Sequence, residues 1–61
     1  MTFSLKIHLG NDSMLTGFDL ANAIRVTANA LENDFGADAV RKDSGLVFDL
    51  NGNIVGKWEV K

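Results

Sequence analysis

The segment from Gly45 to Val60, GLVFDLNGNIVGKWEV, places two apolar runs around a turn signal. It predicts a β-hairpin, because clustered Asn, Gly and Asp between short apolar runs are turn chemistry. The parity of its faces then limits the turn. Asn51-Gly52 is a common two-residue type I′ signal. Read that way, Leu46, Phe48 and Leu50 share a face with Asn53, Val55 and Lys57, and Ile54, Trp58 and Val60 go to the other face. That would split the core. A three-residue loop shifts the pairing by one and turns one strand over relative to the other. Two such loops are open. One is a type I turn on Asp49-Leu50-Asn51-Gly52 with Gly in the left-handed bulge position, and the other uses Asn51-Gly52-Asn53. The first has the more usual chemistry and is preferred. Either loop sends Leu46, Phe48, Ile54, Trp58 and Val60 to the core. Val47, Asp49, Val55, Lys57, Glu59 and Lys61 then face outward.

The remainder supplies elements to cover that hairpin. Thr2 to Leu9 alternates, with Phe3, Leu5, Ile7 and Leu9 on one face and Thr2, Ser4, Lys6 and His8 on the other, which is the period of a half-buried strand. The run GNDSML that follows is a connection, with Met14 and Leu15 expected to fold back over the core edge. Thr16 is an N-cap candidate, and Asp19 stands where a capping-box acid would. A helix is predicted from Gly17 or Phe18 to Asp34 or Phe35, ended by Gly36. Its core stripe is Leu20, Ala23, Ile24, Thr27, Leu31 and Phe35. Phe18 and Val26 fall toward the polar side. They are either incidental, Phe18 lying on the first connection, or the mark of a subunit or partner contact. Ala37 to Ser44 admits a short helical turn or the start of an extended run, with Val40 expected to reach the core.

Together these predict a single small α+β domain over residues 1–61, in the order β-α-β-β: a three-stranded sheet with one helix on its apolar face. Antiparallel pairing in order 1-3-2 is favoured over a parallel first pair with a right-handed crossover.

Composition enters where it excludes functions. The chain has 61 residues, too few for more than one domain, and no Cys, so neither disulfide nor thiolate metal site can brace it. Small domains without such a brace often share a core with a second copy, and a homodimer is expected. Six Lys and Arg against eight Asp and Glu give a net charge of −2, with the basic residues scattered. Nucleic-acid binding usually leaves a basic stripe, so none is expected. No apolar run reaches bilayer length, and the alternating N-terminus does not read as a signal peptide. A complete, soluble chain in a reducing cytoplasm is the expectation.

Candidate chemistry is thin. His8 is the only His, and a zinc site needs three or four convergent ligands. The aspartates follow no calcium-loop spacing, and the serines sit in no nucleophile elbow. Most acids fall at element ends, where capping accounts for them. Trp58 is expected to pack under the helix against Leu31 or Phe35. No catalytic, metal or cofactor residue is assigned. The candidate interaction surface is Val47, Val55, Lys57 and Glu59 on the outer sheet face, with Phe18 and Val26 on the helix. The second hairpin strand, Leu46 to Leu50, has no Pro and one charge, and is a poorly defended edge.

The opening strand TFSLKIHL, then NDSML, the helix LANAIRVTANALEND and the closing DLNGNIVGKWEV together resemble a family of short uncharacterised proteins from bacteriophage and prophage genomes. The closing Asp-x-Asn-Gly-Asn-x-Val-Gly-x-aromatic-Glu pattern is the more specific part. The resemblance covers most of the chain, which departs from it by a longer, charged insert at Ala37 to Ser44. It implies a phage-type accessory protein in a bacterial cytoplasm and carries over no catalytic residues. The expected function is a non-enzymatic protein-binding accessory module, phage-encoded, acting on a host or phage protein as a homodimer. The alternatives are a purely structural, self-assembling protein and an inhibitor of a host defence nuclease. No cofactor, nucleic acid, membrane or small-molecule substrate is expected.

Overall fold

A computed structural model describes all 61 residues. Strand β1 spans Phe3–Ile7, helix α1 Gly17–Phe35, strand β2 Asp43–Phe48 and strand β3 Ile54–Val60. The sheet is antiparallel throughout, in the order β1-β3-β2, with the helix packed on one face. Both the element order and the strand order agree with the expectation from sequence.

Helix α1 starts where its cap chemistry allows. The Thr16 hydroxyl accepts a hydrogen bond from the Asp19 backbone N–H at 3.2 Å, and the Asp19 carboxylate accepts from Thr16 N–H at 3.1 Å and Leu15 N–H at 3.0 Å. The shorter Asp therefore completes the capping box and satisfies donors that the first turn would leave open. These backbone donors, Thr16 first and then Leu15, hold the Asp19 carboxyl below the usual carboxylate range. Gly36 ends the helix at φ 54°, its N–H donating to Glu32 C=O at 2.8 Å. Ala23, Thr27 and Phe35 of the stripe are buried and Leu20 and Leu31 partly so, but Ile24 is exposed. The Thr27 hydroxyl donates back to Ala23 C=O at 2.9 Å, so its polar group is satisfied inside the core. Met14 folds into the core and Leu15 stays outside. Val40 is 52% exposed and does not reach the core as expected; it lies at the core's margin, beside Phe35 and Val60.

The hairpin turn is the three-residue form. Gly52 N–H donates to Asp49 C=O at 3.1 Å, Asp49 N–H donates to Asn53 C=O at 3.0 Å, and Gly52 takes the left-handed φ of 81°. The Asp49 carboxylate caps the turn, accepting from the backbone N–H of Asn51 and Asn53 at 2.9 Å each and from the Asn53 side-chain amide at 3.1 Å. Burial pushes this carboxyl up, but the donors at Asn53, Asn51 and Gly52 outweigh it and leave it below its ordinary range. Asn51 also reaches back through its Nδ2 to Ser13 Oγ at 2.6 Å and ties the first connection to the hairpin.

The faces beyond the turn differ from the sequence expectation. Phe48 pairs with Ile54, but the next residue back, Val47, pairs with Gly56. Val55 is the extra residue of a β-bulge, and a bulge reverses the parity of every pair beyond it. Val47 and Val55 are therefore core residues, only 1% and 3% exposed. Asp49 is also turned inward, and Leu46, Phe48 and Ile54 face outward. The core is Met14, Ala23, Phe35, Val47, Val55, Trp58 and Val60, with Ile7, Leu20 and Leu31 packed against it. Trp58 sits between Phe3, at 6.3 Å centroid to centroid, and Phe35, at 6.2 Å in an edge-on arrangement.

That core is small. Nine residues are buried, while thirteen large apolar side chains remain exposed. The Cα radius of gyration is 11.9 Å, against about 10.5 Å for a compact chain of this length. The surplus apolar surface is spread over the outer sheet face, β1, the helix and the connections, where Leu9, Leu15, Val40 and Leu50 lie.

Candidate interaction face

The outer face of the sheet collects side chains from all three strands. Directly paired residues share a face, so the pairs Lys6 with Lys57, Leu46 with Lys57 and Phe48 with Ile54 place these five together. His8 joins them at the end of β1, its backbone N–H donating to Val55 C=O at 2.7 Å. Lys6, His8, Leu46, Ile54 and Lys57 line one shallow hollow, floored by the backbone at Val55 and Gly56. Leu46 and Ile54 are 52% and 62% exposed. A contiguous apolar spot of Leu46, Phe48 and Ile54 is thus rimmed by cationic and imidazole groups.

Its electrostatics oppose those of the whole molecule. Lys6, Lys57 and Lys61 face outward with a single acid, Glu59, whose carboxylate lies 3.6 Å from the Lys61 ammonium. The face carries a formal +2 in a chain of net −2, leaving −4 for the rest of the molecule. Lys6 and Lys57 are directly opposed in the ladder, and like charges in that position are destabilising. A carboxylate set between them would relieve the repulsion.

The sequence-predicted surface is therefore divided. Lys57 and Glu59 lie on the outer face as expected. Val47 and Val55 do not, because the bulge at Val55 turns them under the helix. Phe18 and Val26 are exposed on the helix, away from the sheet's outer face, and form no common patch with Lys57 and Glu59. Leu46, Phe48 and Ile54, taken from sequence as core, are the apolar centre of the face. Gly56 was the available signal: a Gly inside a strand often marks a bulge or a close backbone approach. The His8 backbone bonds to Val55, while Glu59 stands opposite Ser4.

No group of three or more His, Cys, Asp or Glu side chains comes together to hold a metal ion. No helix is long and apolar enough to cross a membrane. Comparison with protein-family models, with curated proteins and with solved structures finds no match to this chain.

Proposed function

We propose that this protein is a non-enzymatic binding module whose outer sheet face docks an apolar protein surface edged with carboxylates. The observation that carries the reading is the apolar spot of Leu46, Phe48 and Ile54 set against the opposed pair Lys6 and Lys57. Exposed apolar centres with polar rims are the anatomy of protein interfaces. The charge contrast names the chemistry of the partner, because an acidic rim meets the +2 face and is repelled by the −4 remainder. A protein surface suits this face better than a nucleic acid: two of its three apolar residues are aliphatic, and Glu59 interrupts the lysines. The likeness of the closing hairpin to short phage and prophage proteins supports a phage-type accessory acting on a host or phage protein.

The test is capture from a bacterial lysate with the wild type, the double variant Leu46→Asp with Ile54→Asp, and Phe18→Asp. A partner held by the wild type and by Phe18→Asp, released by rising salt and lost with the double variant, is the expected result. A partner retained by the folded double variant overturns the reading. So does tight, salt-sensitive binding of a single-stranded oligonucleotide that Lys6→Glu abolishes.

A further inference from the structure

The order β1-β3-β2 leaves β1 at one edge of the sheet. Thr2 and Lys61 exchange both backbone hydrogen bonds, at 2.7 and 3.0 Å, and His8 N–H donates to Val55 C=O. In an antiparallel ladder the bonding direction alternates along the strand. Thr2, Ser4, Lys6 and His8 therefore spend their backbone groups on β3, and Phe3, Leu5 and Ile7 present theirs to the open edge. This edge has no Pro, no bulge and no inward-pointing charge; its one charge, Lys6, stands on the outer face, clear of the apolar side chains Phe3, Leu5 and Ile7.

The side chains of the same strand are also incompletely covered. Helix α1 lies nearest β2, so Val47 is fully enclosed while Phe3 and Leu5 remain 48% and 36% exposed on the helix-bearing face. An all-apolar hollow lined by Phe3, Leu31, Phe35, Val40 and Val60 opens beside them. The two sheet edges thus differ. Another strand added at β2 would meet core positions already buried, and one added at β1 would cover apolar surface.

We propose that β1 pairs antiparallel with β1 of a second copy of this chain, about a two-fold axis at Leu5. The outward groups at Phe3, Leu5 and Ile7 are symmetric about Leu5, so the edge is complementary to itself. Leu5 then faces Leu5 of the partner subunit, Phe3 faces Ile7 of the partner subunit, and each such pair exchanges both hydrogen bonds. Lys6 falls opposite Ser4 of the partner subunit. An axis at Lys6 would oppose two ammonium groups, and one at Ser4 would set Ile7 against Met1, outside the strand. The product is a six-stranded sheet with both helices on one face and two copies of the outer patch on the other. This goes beyond the binding reading and does not depend on it.

Sedimentation equilibrium of the full chain, with amide exchange on the same samples, tests the pairing. A dimer is expected in which the Phe3, Leu5 and Ile7 amides become protected as concentration rises. A Pro at Leu5 removes an outward N–H and leaves the β1–β3 ladder intact, so Leu5→Pro should raise the dimer dissociation constant about tenfold or more. Leu5→Lys, which keeps the amide and charges the edge, should weaken the dimer as well and serves if the proline variant does not fold. A monomer at millimolar concentration overturns the proposal. So does a dimer in which those amides stay unprotected. A dimer lost only with Leu46→Asp and Ile54→Asp also overturns it, and places self-association on the outer face.

Discussion

The indole of Trp58 lies over the α-carbon of Gly45, its partner across the β2–β3 ladder. A β-carbon at Gly45 would overlap the indole nitrogen and sit 2.6 Å from Cε2. The only Trp of the chain therefore occupies the place on the helix-bearing face that a side chain on β2 would take. The bulge at Val55 makes this possible. Without the extra residue Gly45 would oppose Lys57, and the bulky Leu46 would stand on the helix-bearing face.

Gly45→Ala should destabilise the fold by about 1–3 kcal/mol, the usual penalty for overpacking. Gly56→Ala should cost more. Its β-carbon would run into the Lys6 carbonyl oxygen and come within 2.9 Å of Ile7 Cα, and backbone cannot rotate aside as a side chain can. Urea titration followed by Trp58 fluorescence checks both. Equal costs would show that β1 moves as readily as the indole.

Thr16→Ala should cost about 1 kcal/mol, within the range for loss of an N-cap. The reciprocal bonds between Thr16 and Asp19 are both present, so the alanine variant loses the hydroxyl acceptor and loosens the carboxylate that it faces. Thr16→Ser should recover most of the loss. Thermal unfolding by circular dichroism measures the difference.

Stability should fall on acidification. The carboxyls of Asp19 and Asp49 are both held below their ordinary range. A carboxyl whose pKa is lowered by folding contributes above its unfolded value, about 4, and the contribution is lost as pH falls through the folded value. The decline should therefore begin near pH 4 and continue below it. In Asp19→Asn with Asp49→Asn the pH dependence in that window should be flatter. Denaturant midpoints between pH 2.5 and 6 test this, and an unchanged slope would remove both residues from the account.

Val47→Asp and Leu46→Asp, neighbours in one strand, should behave oppositely. Val47 is enclosed, and a carboxylate there would be buried without a partner, costing about 3 kcal/mol or more and unfolding so small a domain. Leu46 faces solvent, so its substitution should stay within about 0.5 kcal/mol. Paired denaturation curves decide, and the reverse ranking would return β2 to the parity expected without a bulge.

Local chemistry carried much of the architecture. The alternation from Thr2 to Leu9, the 3–4 stripe from Leu20 to Phe35 and the stop at Gly36 are properties of short stretches, and each marks its element wherever the chain goes. The three-residue turn at Asp49 to Gly52 was legible for the same reason: left-handed backbone at Gly52 and carboxylate capping by Asp49 need only near neighbours. The apolar centre of the candidate interaction face was not legible. It depends on which residues of β2 oppose which residues of β3, and one bulged residue at Val55 reverses that choice. Leu46-Phe48 and Gly45-Val47 are both coherent strand faces by their own spacing. Only tertiary packing chooses between them, because the Trp58 ring needs the space over Gly45 and β1 needs the close approach at Gly56. The sequence alone determined the elements, their order and the turn. The folded sheet decided which face is core and which is left exposed, since side-chain volume across neighbouring strands is settled between residues far apart in the chain.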